Sequence, residues 1–226
     1  MYESLEEILG IHFENPALLH LALTHRSYIY ETAGEGLSSN ERLEFLGDSI
    51  LAFISADYLY RAFPDLSEGE LSDLRAALVR RETLATFARA INLGNFLLMG
   101  KGEQSSGGSQ RILASAFEAV LGAMYLDRGI EVVQRFLMPR LEPLAHNIVS
   151  KRLFKDQKSL FQEQAQAHVG ITPSYRLVSQ EGPSHNRVFT VEVLLGEEVA
   201  GKGQGRNKQA AEQEAARAAL LSRGWI

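Results

Sequence analysis

Three carboxylates stand at helical spacing in NERLEFLGDSIL, residues 40 to 51: Glu41, Glu44 and Asp48. In a helix of 3.6 residues per turn they form one stripe, and Leu43, Leu46, Ile50 and Phe53 form an apolar stripe beside it. A fourth carboxylate, Glu118, sits inside ILASAFEAVLGAMYL, among Ala, Phe, Val and Leu. Burying a lone carboxylate in such surroundings is costly, so Glu118 needs a cation. Its nearest arginines in sequence, Arg111 and Arg128, lie seven and ten residues away. If the Glu118 helix packs on the helix carrying Glu44 and Asp48, three carboxylates converge and repel unless a divalent ion sits among them. Oxygen-only donors suit Mg²⁺ or Mn²⁺, with open positions for water and a phosphate oxygen. Acidic residues at this spacing also fit a plain solvated helix face, and spacing alone does not separate the two. Gly47, in the middle of the segment, costs a helix about 1 kcal/mol relative to alanine. The close approach of another backbone would explain it.

The elements that must position these groups follow from periodicity. The first 150 residues read as helices throughout. LSEGELSDLRAALVRRETLATFARAINLG is expected to form one helix, opened by a capping box of Ser67 and Glu70 and closed at Gly94. SQRILASAFEAVLGAMYLD is expected to form another. EVVQRFLMPRLEPLA is helical in period but should break at Pro139 and Pro143. GKGEQSSGGS, residues 100–109, has the composition of a flexible loop. After about Ser150 the pattern changes. A short polar connector precedes a helix in QKSLFQEQAQAHVG, strands in SYRLVSQ, RVFTVEVLL and EEVAGKGQG, and an alanine-rich helix in RNKQAAEQEAARAALLS. In RVFTVEVLL, Phe189, Val191, Val193 and Leu195 alternate as in a half-buried antiparallel strand. The expected architecture is an all-α domain over 1–150, a linker over 151–155, and an α+β domain of α-β-β-β-α order over 156–226.

Composition bounds the rest. The 226 residues are 45% hydrophobic and include no cysteine, which excludes disulfides and thiolate metal sites and suits a reducing compartment. The N-terminal MYESLEEILG lacks the basic flank and apolar core of a signal peptide, and no apolar run is long enough to span a bilayer. A cytoplasmic protein with no membrane partner is expected. The net charge of −5 hides an asymmetry: residues 1–150 carry 12 Lys+Arg against 20 Asp+Glu, while residues 151–226 carry 11 against 8. The basic second part is the better candidate to meet a polyanion.

The longer segments carry a resemblance. NERLEFLGDSIL closely resembles the signature segment of the ribonuclease III family. LTHRSY, SEGELSDLRAALVRRETLA and ILASAFEAVLGAMYLD resemble that family's other nuclease-domain segments, in the same order. GPSHNRVFTVEV and GKGQGRNKQAAEQEAA resemble its double-stranded-RNA-binding domain. The resemblance implies a dimeric helical nuclease domain in which Glu44, Asp48 and Glu118 bind the catalytic Mg²⁺, for which Mn²⁺ can substitute. It places Glu41 and Glu68 as accessory acidic residues near the cleavage site, and Phe45 as an apolar knob entering a second subunit. The implied activity is endonucleolytic cleavage of double-stranded RNA by a metal-activated water. That cleavage leaves 5′-phosphate and 3′-hydroxyl ends with short 3′ overhangs, in the processing of ribosomal, messenger and other structured RNA precursors.

One departure stands at Ser115, where the family usually has a carboxylate three residues before the helical glutamate. A hydroxyl could hold a metal-bound water but adds no charge. A duplex-RNA-binding dimer with a weakened nuclease site is therefore the alternative reading. In the second domain, Gln162, Glu163 and Gln166 share one helix face suited to a minor groove. Pro183 and His185 lie in a turn that could reach the next groove, and Arg206, Asn207 and Lys208 open the last helix toward phosphate. Gln209 interrupts the run of lysines usual in the family. The other five histidines, His12, His20, His25, His146 and His168, are expected to be structural or at the surface. GDSIL also resembles the motif of a serine esterase family, but the required Asp-x-x-His is absent and Ser49 falls in a helical pattern.

Overall fold

The computed structural model describes residues 2–32, 38–104, 108–150, 157–183 and 187–226. The chain divides into two compact units, Met1–Ser150 and Lys151–Ile226. The first is helical: α1 (Glu3–Leu9), α2 (Pro16–Ala22), α3 (Arg26–Thr32), α4 (Glu41–Ala62), α5 (Glu68–Leu78), α6 (Arg81–Ala90), a 3₁₀ turn (Leu93–Phe96), the short α7 (Lys101–Gln104), α8 (Gln110–Arg128) and α9 (Ile130–Ser150). An isolated bridge pairs Thr24 with Leu98.

At the centre lies α8. Ile112, Leu113, Ala114, Ala116, Phe117 and the run Ala119 to Met124 are all buried, so this helix is apolar nearly all round, as a core helix must be. Helices α2, α4, α6 and α9 pack around it. Phe117 joins Phe87 and Phe136, each at 5.9 Å between ring centroids. Helix α4 crosses α8 where two glycines face each other. A Cβ on Gly47 would run into the Glu118 carbonyl, and one on Gly122 would run into that of Leu43. The close approach expected of Gly47 is present.

Several boundaries differ from the sequence expectation. The long helix after Ser67 is two helices, because Arg80 takes an extended conformation (φ −63°, ψ 153°) and turns the chain between Leu78 and Arg81. The capping box forms as expected, with Glu70 N–H donating to Ser67 Oγ and Ser67 N–H to Glu70 Oε2. Gly94 lies within the 3₁₀ turn and caps nothing. Pro139 and Pro143 do not break α9, which continues through both. Each removes one backbone donor, but Val132, Val133, Phe136, Leu137, Leu141, Ala145 and Ile148 bury one continuous face that holds the helix together. Within the expected loop, Lys101–Gln104 form a helical turn.

The second unit runs α10 (Gln157–Val169), β1 (Ser174–Glu181), β2 (Val188–Leu195), β3 (Glu198–Gly205) and α11 (Lys208–Ser222). The strands form an antiparallel sheet in the order β1-β2-β3. Its core joins Val191, Val193 and Leu195 to Leu160, Phe161 and Ala165 of α10 and to Ala211, Ala215, Ala216, Ala219 and Leu220 of α11. Gly201, Gly203 and Gly205 alternate along β3, and a Cβ on any of them would strike α11 at Ala210, Ala211, Ala215 or Ala219. Helix and strand thus meet almost backbone to backbone. The expected linker, 151–155, lies outside the described residues. So does His185.

Candidate active site and RNA interface

Helices α4 and α8 bring the sequence-predicted carboxylates to one place. Glu44 and Asp48 lie one turn apart on α4, and Glu118 projects from the buried α8. The Glu118 carboxyl is pushed up to about 7, first by burial, then by repulsion from Asp48 and Glu44. Arg81, at the start of α6, pulls it the other way. Sequence distance points to Arg111 and Arg128 instead. Arg81 is 37 positions away and only the packing of α6 on α8 delivers it. Ser115, expected to act through a water, has a protein partner: its hydroxyl donates to Glu44 Oε1 at 2.7 Å.

The accessory residues have local partners. Glu41 accepts from Ser39 Oγ at 2.7 Å and pairs with Arg26 at 3.5 Å. Glu68 opens α5 and accepts from Ser72 Oγ at 3.0 Å. Beside Glu44 is a cavity of about 280 Å³ lined by His25, Arg26, Asn40, Arg111 and Ser115 among others. His25 is part of the frame of this cavity. Ser27 N–H donates to its Nδ1 at 3.2 Å, while Ser27 Oγ accepts from Gly100 N–H. Asn40 is buried and ties the start of α4 to the end of α2, its Nδ2 donating to the Ala22 carbonyl at 3.1 Å. Residue type and spacing alone assign neither His25 nor Asn40 to the surroundings of the site. Their location within LTHRSY and next to Glu41 is the available signal.

Among the described residues no group of three or more His, Cys, Asp or Glu forms a ready-made metal cluster. The chemistry of the donor set nevertheless fits a hard divalent cation. The donors are oxygens, and burial with mutual repulsion raises Glu118 in a way that a cation at this position would relieve.

The outer face of α4 is apolar. Phe45 is 78% exposed, Phe53 60% and Tyr60 75%. Phe53 does not join the buried stripe as expected: it is exposed, and at about 100° per residue it lies within about 20° of Tyr60 around the helix. Ser49 is in the helix, donating to the Phe45 carbonyl, which removes the esterase reading.

In the second unit, Gln162, Glu163 and Gln166 are exposed on α10, opposite its buried Leu160, Phe161 and Ala165. Pro183, Arg206 and Lys208 are exposed. Asn207 caps α11, its side chain accepting from Ala210 N–H at 2.8 Å. The first turn of α10 is tied to α11: Gln157 N–H donates to Gln213 Oε1 at 2.7 Å, and Lys158 Nζ to Glu212 Oε2 at 2.7 Å. These tethers fix the start of α10 against α11. Nothing in the spacing of Glu212 and Gln213 indicates that role.

The comparisons with known proteins agree with this geometry. Residues 15–144 match the family model described as Ribonuclease-III-like, and residues 157–222 match the double-stranded RNA binding motif. A Ribonuclease 3 of Roseiflexus sp. (strain RS-1) is 48% identical over 97% of this chain and 96% of that protein. The Ribonuclease 3 of Oceanobacillus iheyensis is also 48% identical, over 96% of each. Among solved structures, the nuclease domain of ribonuclease III from Campylobacter jejuni is 38% identical, with a TM-score of 0.58, covering 63% of this chain and 97% of that one. A helical unit with converging carboxylates, joined to a duplex-RNA-binding fold and matched along nearly its whole length by such relatives, places this chain in the ribonuclease III family.

Proposed function

We propose that the protein is a Mg²⁺-dependent endoribonuclease that cuts both strands of duplex RNA, acting as a homodimer in the cytoplasm. The observation that carries the reading is the convergence of Glu44 and Asp48 with Glu118 across the α4–α8 crossing. When bound there, Mg²⁺ supplies an activated water and charge neutralisation at the phosphate. Glu44, Asp48 and Glu118 are the residues that would hold it. The glycine contact holds the two helices close, and the carboxylates of both would be drawn together by an ion bound there. The exposed faces of α10 and the start of α11 hold the duplex through its 2′-hydroxyls and phosphates rather than its base edges. With one site per subunit facing one duplex, the expected products are short fragments with 5′-phosphate, 3′-hydroxyl and 3′ overhangs. The expected substrates are structured ribosomal and messenger RNA precursors.

The test is incubation of long duplex RNA with the protein, with Mg²⁺ and with EDTA. Cleavage confined to the Mg²⁺ lanes supports the reading. Binding without cleavage at any Mg²⁺ or Mn²⁺ concentration establishes instead the second reading, a duplex-binding protein, which Ser115 in place of the usual carboxylate favours.

Two predictions attach to the interfaces. The Campylobacter jejuni nuclease domain has a region involved in dimer formation, and here the apolar outer face of α4 is the surface assigned to a second copy. Phe45→Glu is expected to weaken self-association by at least the burial of one large apolar side chain, about 1.5–3 kcal/mol, or roughly 10–100-fold in dissociation constant. Light scattering at micromolar protein checks this, and a dimer as tight as the parent's would remove Phe45 from the interface. Lys208→Ala is expected to weaken duplex binding uniformly across sequences and make the log–log salt dependence shallower by roughly 0.7–0.9. An unchanged slope in filter binding would mean that Lys208 does not touch phosphate.

A further inference from the structure

Ser115 stands where the resemblance implies a carboxylate, and the structure gives that residue a definite partner. Ser115 and Glu118 lie one turn apart on α8, on the side facing α4. The Ser115 hydroxyl donates to Glu44 Oε1 at 2.7 Å, across 71 residues of sequence. Glu44 has three rotatable side-chain bonds and is only partly buried, and with Ser115 it lines a cavity of about 280 Å³ that leaves its carboxylate room to move. Arg26 and Arg111 line the same cavity and would attract a loose carboxylate away from Asp48 and Glu118.

We propose that Ser115 is a positioning residue that acts through Glu44: its hydroxyl holds one carboxylate oxygen and leaves the other, Oε2, for a divalent cation shared with Asp48 and Glu118. The inference rests on the metal-dependent reading given above. Oε2 has no other protein partner among the described residues. Carboxylates that ligate metals are generally hydrogen-bonded from behind in this way, and losing the outer partner costs about 10–100-fold in metal affinity or activity. A carboxylate at position 115 would act differently. It would add a negative charge within hydrogen-bond distance of Glu44, which is unfavourable without a cation and favourable with one. The serine therefore substitutes orientation for charge: the site keeps a held Glu44 with one fewer repulsive group to tolerate when it is empty of cation.

The experiment is thermal unfolding of the full chain, without RNA, titrated with MgCl₂ from EDTA upward, for the parent, Ser115→Ala, Ser115→Thr and Ser115→Asp. The parent is expected to be stabilised by Mg²⁺. Ser115→Ala should melt near the parent in EDTA but need roughly 10–100-fold more Mg²⁺ for half of the stabilisation. Ser115→Thr, which keeps the hydroxyl, should titrate close to the parent. Ser115→Asp should melt lower than the parent in EDTA and gain more from Mg²⁺. If Ser115→Ala titrates like the parent, or threonine rescues nothing, Ser115 does not act through Glu44 and the proposal falls while the metal reading stands. If the parent shows no Mg²⁺ stabilisation at all, both fall.

Discussion

Replacing Glu118 with glutamine is expected to abolish cleavage while making the metal-free protein more stable at alkaline pH. The two effects have one cause. Glu118 is held on a core helix beside Asp48 and Glu44, and its carboxyl is raised to about 7 from an ordinary 4.5. Below pH 4.5 the group is protonated folded and unfolded, and contributes nothing. Between 4.5 and 7 the folded form holds the proton more tightly, so stability falls as pH rises. Above 7 the full penalty is present. The shift corresponds to about 3.4 kcal/mol before screening, and the group's partial exposure reduces that to roughly 1–2 kcal/mol. In EDTA at pH 8.5, Glu118→Gln should therefore melt higher than the parent, and the advantage should disappear by pH 4.5. Cleavage should fall by more than the roughly 10–100-fold attached to an outer partner, because a proposed ligand is gone. Duplex binding, carried by the second unit, should be unchanged. A variant that melts identically to the parent at pH 8.5 would show that Glu118 is not charged against its neighbours.

The second large effect concerns backbone, not charge. Gly47→Ala should lower stability by about 3 kcal/mol, near the top of the range for overpacking, despite the roughly 1 kcal/mol gained in helix propensity. The added methyl meets the Glu118 carbonyl, which cannot swing aside as a side chain would. At roughly 2–4 °C per kcal/mol for a unit of this size, the melting temperature should drop by about 6–12 °C. The same displacement separates Asp48 from Glu118, so Mg²⁺ stabilisation should weaken along with stability. Differential scanning calorimetry with and without Mg²⁺ measures both. Gly47→Ala melting at or above the parent would mean that α4 and α8 do not touch at Gly47 and Glu118.

The carboxylates are legible in the amino-acid sequence because their spacing is covalent information. Glu44 and Asp48 must share a helix face once the segment is helical, and Glu118 is conspicuous in an apolar run. Gly47 is legible for a similar reason, since a glycine that weakens a long helix points to a neighbour. The α-β-β-β-α order also shows in the period of the apolar residues. What does not show depends on contacts across space. Arg81 reaches Glu118 only through the packing of α6 on α8, and Ser115 finds Glu44 across the helix crossing. Helix interruptions mislead in both directions. The break at Arg80 has no proline or glycine to mark it, and the two prolines of α9 are overruled by a continuous buried face. Phe53 is exposed although it shares the helix angle of Leu46, because what covers a position depends on the neighbouring elements and not on the helix alone.

The alternating glycines of β3 have a consequence for how this protein can change. Where α11 and β3 touch, Gly201, Gly203 and Gly205 face alanines of the helix, so enlargement of any of these glycines must push backbone apart. The buried side of the helix has almost no neutral substitutions open to it. If the first turn of α11 holds RNA as proposed, variation in that grip is channelled to its solvent-facing positions, where Lys208 and Gln209 are exposed. A lineage needing tighter or looser binding can adjust charge there, one residue at a time, without disturbing the seam.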